Sequence, residues 1–321
     1  MKRVRADVFA AGVLAMVCTG WTQPPEIEHV STWPPKAAAM PPVPDESREH
    51  VPATIDIAPV WNDQAIWEDG LAEMAYYDAV RPIYGTPRRY TRVHLLNRQW
   101  MDPDTGVKAD QADAAGHVPV FKFNILEQIP TQNYNYRWQT TVFLRRPTLQ
   151  PFKMVHSSQE WCGATFKHLS WKDAGLVLRS FSYFPGEGKR EWRDLPPDAV
   201  PFEALFVIVR AAAAANADVK LTILPPMRSN REVAPRPTSA TLRTAGDTHR
   251  VRTPLGRFEA RRVTVTLADG VATFEVDTNP PHHLLKYEGP DGESLSLRFV
   301  ERRPYWDRGS RSRFYAPGKA P

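Results

Sequence analysis

The stretch Pro151–Phe184 reads PFKMVHSSQEWCGATFKHLSWKDAGLVLRSFSYF, and its side-chain alternation decides the fold class. From Trp161 onward, Cys162, Ala164 and Phe166 fall on one side of an extended chain, with Trp161, Gly163, Thr165 and Lys167 on the other. A period of two belongs to a β-strand, because successive side chains of an extended backbone point to opposite faces. Leu176–Phe184 is long enough for a second strand, and the polar Ser170–Gly175 between them supplies a hairpin loop that Gly175 can close. With Ala164 and Phe166 on its side, Cys162 is expected in the core, where free cysteines commonly pack as small apolar groups.

Upstream, Leu71–Tyr84 is apolar and aromatic and compatible with helix or strand, Pro82 favouring a strand or a break. Tyr90–Met101, Val118–Glu127 and Tyr134–Leu144 read as strands, the last rich in aromatic and β-branched residues that suit a half-buried pleated surface. Downstream, Asp198–Ala215 ends in a run of alanines and is the helix candidate, although Phe206–Val209 also fits a buried strand. In the C-terminal third, His249–Thr253, Arg257–Leu267, Val271–Val276, His283–Glu288 and Ser294–Val300 are strand-length runs. They are separated by Pro254–Gly256, Asp269–Gly270, Asn279–Pro281 and Pro290–Gly292, all turn-forming. Short, evenly spaced strands with such turns predict a mainly β fold: an antiparallel meander forming a barrel or a strongly curved sheet, with one short helix near residues 198–215.

At the N-terminus, Lys2, Arg3 and Arg5 precede the apolar run Val8–Val17 and then Cys18-Thr19-Gly20, the layout of an export signal removed after residue 20. The run is shorter than the roughly 20 apolar residues a permanent span requires. Cys18 is also a lipidation candidate, as the acylated first residue of a lipoprotein; the bulky Val17 before it opposes that reading. Membrane contact is expected only through such an anchor. Residues 21–54, with paired prolines and no apolar period, read as an extended tether. The β domain is expected over 55–304 and a basic flexible tail over 305–321. The 41 basic residues are interspersed with 36 acidic ones, so the net charge of +5 describes a mixed surface rather than a nucleic-acid footprint. Whether Cys18 is removed or lipidated, no internal disulfide is available.

Candidate chemistry is sparse. Cys162 is the one nucleophile candidate, yet His156 and His168 lie six positions away, about 20 Å along an extended strand. A thiol needs a base within hydrogen-bond reach, so a working pair would have to come from another strand. Adjacent His282 and His283 would point to opposite faces, and no metal is expected. No cofactor is expected either, because the phosphate-cradling glycine patterns and the serine-hydrolase elbow do not occur. Tyr134, Tyr136, Trp138, Trp161 and Trp171 fall on adjacent predicted strands and are the ligand-binding candidates, as the lining of an apolar cavity; core packing is the competing account.

The segments VRTPLGRFEA (Val251–Ala260), HLLKYE (His283–Glu288) and QEWCG (Gln159–Gly163), with the strand Ser294–Val300, resemble an uncharacterised bacterial family of exported β-barrel-like envelope proteins. That resemblance implies a periplasmic or envelope-facing barrel and brings no catalytic residues. The combined expectation is an exported, non-enzymatic protein whose barrel binds an apolar or amphipathic ligand or an envelope partner, and not nucleic acid. An enzyme with Cys162 as nucleophile is the alternative, and a purely structural surface module the second.

Overall fold

A computed structural model describes residues 57–62, 64–109, 116–172, 175–307, 309 and 313–314. The expected signal segment, the tether and Cys18 fall outside the described residues. Within Pro151–Phe184 the chain makes two hairpins, but the first strand begins ten residues earlier than the alternation suggested. Pro151–Glu160 pairs antiparallel with Gly163–Lys172, from Lys153↔Ser170 to Glu160↔Gly163, so Trp161 and Cys162 form the two-residue turn between them.

In chain order the elements are helix α1 (Ala58–Asn62), then β1 (Ala72–Ile83), β2 (Thr86–Met101), β3 (Val118–Pro130), β4 (Asn135–Arg145), β5 (Pro151–Glu160), β6 (Gly163–Lys172), β7 (Gly175–Ser182) and β8 (Gly188–Leu195). They continue with β9 (Val200–Pro201), helix α2 (Leu205–Ala215), β10 (Val219–Leu224), β11 (Thr238–Thr244), β12 (His249–Thr253) and β13 (Gly256–Leu267). The last are β14 (Gly270–Asp277), β15 (Leu284–Glu288), β16 (Ser294–Arg303) and β17 (Arg313–Phe314).

Strands β1 to β8 form one antiparallel meander, each paired with the next. A second runs from β13 through β14 and β15 to β16. The two join where β1 pairs with β16, from Ala72↔Arg303 to Val80↔Ser294. Long β13 also serves β12 with its first half and β11 with its second. From β11 the sheet continues to β10, which pairs with β9 in parallel.

The protein is therefore mainly β with one substantial helix, but the expected barrel or strongly curved sheet is corrected. The sheet is neither closed nor strongly curled: one end is β8, the other β9, and no pairing among the described strands joins them. Closure needs a bare edge on each terminal strand. Here β8 reads GKREWRDL, and a short, charged, largely exposed edge strand resists further pairing.

Helix α2 lies against the inner face of this sheet. Its residues Leu205 to Ala213 are all buried, so it has no solvent face. The Val-Ile-Val run would suit a strand, yet the alanines that follow favour helix and allow close approach of neighbouring elements. Asn216 ends the helix in the left-handed conformation (φ 50°), and Ala217 N–H bonds back to Ala212 O at 3.1 Å. Phe206 in the first turn of α2 meets Phe274 of β14 and Tyr287 of β15 at ring distances of 5.8 and 5.1 Å, and His94 of β2 at 5.1 Å. One helix thus packs on both meanders and fills the space a hollow barrel would have left for a ligand.

Candidate functional site

In an antiparallel meander every odd-to-even turn lies at the same end of the sheet. The turns β1–β2, β3–β4, β5–β6 and β7–β8 carry Tyr84, Tyr134, Trp161 with Cys162, and Tyr183, and these aromatics form a rim along that end. Trp161 is 85% exposed, Tyr84 80% and Tyr183 69%. Trp161 stacks on Tyr134 at 5.3 Å with 18° between the planes, and Tyr134 leans on Tyr136 at 5.7 Å. Tyr136 stacks on Trp138 at 5.9 Å and its hydroxyl donates to that of Tyr84 at 3.1 Å. Gly163 leaves room for the Tyr183 ring, whose nearest atom would sit 2.4 Å from a Cβ at that position.

A polar bracket lies beneath these rings. Glu160 accepts from Trp138 Nε1 at 3.2 Å and from Ser158 Oγ and Asn230 Nδ2 at 3.1 Å each. The Arg81 guanidinium covers the Trp138 ring at 4.8 Å. Four of the five aromatic candidates, Tyr134, Tyr136, Trp138 and Trp161, thus come together. Trp171 does not: it packs on the main core and donates to Ala199 O at 3.2 Å. Tyr84 and Tyr183 were missed because they sit in turns, where strand alternation says nothing.

Cys162 corrects the expected core position. It is exposed, as is Phe166, while Thr165, Lys167 and Leu169 form the buried side of β6. The turn places Cys162 outside the strand, and the buried lysine reverses the hydropathy reading of the two faces. The Tyr134 hydroxyl donates to Cys162 Sγ at 2.6 Å, and this contact, with burial and the nearby Glu160, pushes the phenol up to about 12. A phenol held there keeps its proton at neutral pH and is no base for the thiol. His156 is also committed elsewhere: its Nε2 donates to Ser229 O at 3.0 Å and its Nδ1 accepts from Thr140 at 2.9 Å. Iodoacetamide should label Cys162 in the native protein as fast as after unfolding, read by mass spectrometry. Cys162→Asp should fold with a stability change below about 0.5 kcal/mol, whereas a core thiol would make it collapse.

The segment between β10 and β11 runs over the inner face of the first meander and buries charges there. Lys167 donates to Met227 O and Ser229 O at 2.7 and 2.8 Å, and Thr165 to Asn230 O at 2.5 Å. Arg228 reaches Glu293 at 2.7 Å and Glu127 at 3.2 Å, while Glu203 accepts from the Met227 and Arg228 N–H groups at 2.7 and 3.1 Å. Arg92 lies between Glu127 and Glu293 and bonds both. Burial raises the Glu203 carboxyl from its ordinary 4.5 despite Arg228. The one sequence signal for this network is parity: Arg92 and Glu127 fall on the same faces of β2 and β3 as Leu96, Phe123 and Ile125.

Burial brings the Lys167 ammonium down to about 7, against the pull of Glu203. The folded state then binds fewer protons than the unfolded chain between about 7 and 10.5, so this group makes stability rise with pH across that window and weigh against folding below it. The difference in unfolding free energy between wild type and Lys167→Met should change steadily over pH 7–9.5 in urea titrations. A pH-independent difference would mean that Lys167 is not dehydrated.

Among the described residues no group of three His, Cys, Asp or Glu side chains is arranged to hold a metal ion. His282 and His283 turn apart, the first bonding Asp277 O through Nδ1 at 3.0 Å and the second facing Glu73 at 3.3 Å. No family model and no curated protein matches the chain. Among solved structures it is remotely similar to a beta-barrel-like protein of the uncharacterised family DUF1849 from Brucella abortus, with 13% identity over 73% of this chain and 98% of that one, at a TM-score of 0.44.

Proposed function

We propose that this is an exported, non-enzymatic binding protein of the cell envelope that takes an amphipathic ligand at its aromatic rim rather than inside the sheet. The observation that carries this is the Tyr134–Trp161 stack, standing in solvent at the hairpin ends with Tyr84 and Tyr183 beside it. Large exposed aromatics lose apolar hydration on contact, and Tyr and Trp suit a boundary that is apolar on one side and wet on the other. The bracket of half-buried Glu160 and Arg81 with buried Asn230 holds the rings in place, which lowers the ordering entropy lost on binding. The groups described beside Cys162 and His156 favour binding over the enzyme reading, since Tyr134 keeps its proton and His156 bonds Ser229 and Thr140.

Export rests on the basic, apolar and small-residue succession of residues 2–20, with the following prolines as a tether to the domain. The mass of the mature chain decides it, since an intact Met1 would refute processing. The binding test is a titration with phosphatidylglycerol–phosphatidylethanolamine vesicles, following tryptophan emission. A blue shift in wild type that is lost in Trp161→Phe, at unchanged melting temperature, is expected. A shift that survives the substitution, or no shift, would sink the rim as the contact surface.

A further inference from the structure

The face of the sheet turned away from α2 carries a groove distinct from the rim. Across β3, β4 and β5 the register sets Gln128, Arg137 and Gln159 in one row. Two residues along, a second row runs Tyr76, Val93, Leu126, Gln139, Ser157, Phe166, Phe181 and Lys189, one per strand from β1 to β8. Between them is a groove of about 490 Å³ walled by Tyr76, Thr91, Gln128, Arg137, Gln139 and Gln159. Glu127 and Trp138 also border it, but their side chains turn inward to Arg92 and Glu160.

Exposed charges elsewhere pair across strands, Arg179–Glu191 and Arg298–Asp78 on this same face and Arg250–Glu259 in the second meander. In the groove, Gln128, Arg137, Gln139 and Gln159 make no side-chain hydrogen bond or ion pair with any described residue. These three amides and one guanidinium on adjacent strands are all exposed. They present donors and acceptors outward, between half-buried Tyr76 at one end and the exposed Phe166–Phe181 pair at the other.

We infer that this face binds an acidic oligosaccharide lying across the strands. Neighbouring strands are about 4.8 Å apart, close to the repeat of one pyranose along an extended chain, so successive sugars meet successive strands. The amides of Gln128, Gln139 and Gln159 each offer a donor and an acceptor to vicinal hydroxyls. Arg137 meets a ring carboxylate with its two-pronged fork, and the terminal aromatics cover apolar sugar faces. An extended peptide would instead seek free backbone groups at a sheet edge, and these interior strands have none. A nucleic acid would call for several cations in the groove itself, whose lining carries Arg137, and a lipid surface would want apolar groups where the amides stand.

The test is calorimetric titration of the full chain with hexagalacturonate at low salt, with cellohexaose as the uncharged comparison. Hexagalacturonate should bind, Arg137→Ala should weaken it about tenfold or more and Gln139→Ala several-fold, with melting temperatures unchanged. Trp161→Phe should leave it unaltered, which separates this site from the rim. No binding, equal binding of cellohexaose, or affinity indifferent to Arg137→Ala overturns the inference. A sedimenting dimer that Arg137→Glu splits would assign the face to a second copy, and overturns it as well.

Discussion

Phe206→Ala should destabilise the protein by about 3–5 kcal/mol, the largest loss expected from any single truncation of an aromatic side chain here. The ring is 1% exposed and sits among His94, Phe202, Phe274 and Tyr287, all within 6.0 Å between centroids. Because α2 is enclosed on every side, no backbone shift can refill the space, and the residual cavity adds to the lost transfer energy. The ring also faces the Arg92 and Arg228 guanidinium groups at 5.8 and 5.7 Å, so its removal uncovers two buried cations. Phe206→Leu keeps most of the volume and should lose about 1–1.5 kcal/mol. Urea denaturation of the three proteins checks the order, and equal midpoints for wild type and Phe206→Ala would contradict the buried placement of α2.

Glu127→Gln comes next, with about 3–5 kcal/mol expected. Glu127 is buried, and Arg92, Arg228 and Arg81 lie at 2.8, 3.2 and 3.6 Å from its Oε1, with the Tyr90 hydroxyl donating at 2.6 Å. Glutamine preserves the shape but turns one acceptor into a donor that faces guanidinium donors, and it leaves the cations short of a countercharge. Burial alone would raise the carboxyl, but Arg92, Arg228 and Arg81 hold it well below its ordinary 4.5. A depressed carboxylate stabilises the fold above the unfolded value, and that contribution is lost as pH falls through the folded one. Wild type should therefore lose stability below pH 4.5 more steeply than Glu127→Gln, and parallel acid profiles would show the carboxylate to be unpaired.

The C-terminal strands were legible because each pairs a clear alternation with a turn of proline or glycine, as at Val263, Val265 and Leu267 before Asp269-Gly270. β5 was not, since its inner face reads Met154, His156, Ser158, where polar groups replace the apolar signal. β8 offers only Trp192 and Leu195 to the core, too sparse a pattern to read as a strand. Barrel closure was overread: local alternation says that strands pair but not whether the first finds the last. Four of the five aromatic candidates come together because strands of one meander bring Tyr136 and Trp138 beside their neighbours' turns. Cys162 was put on the wrong side with Ala164 and Phe166, because a buried Lys167 marks the opposite face as the inner one. The buried arginines could not be ranked, because only their partners, some more than a hundred positions away, make them tolerable inside.

The pairing of β1 with β16 sets an order of events during synthesis. Each meander can form from neighbours as it leaves the ribosome, but Ala72 must wait for Arg303, more than two hundred residues later, before its free side is covered. Until then the nascent chain displays an unpaired apolar edge in the middle of the future sheet, the kind of surface that recruits other chains. A chain cut short before Ser294 would never lose that edge, so it would be sticky however well its first eight strands had formed.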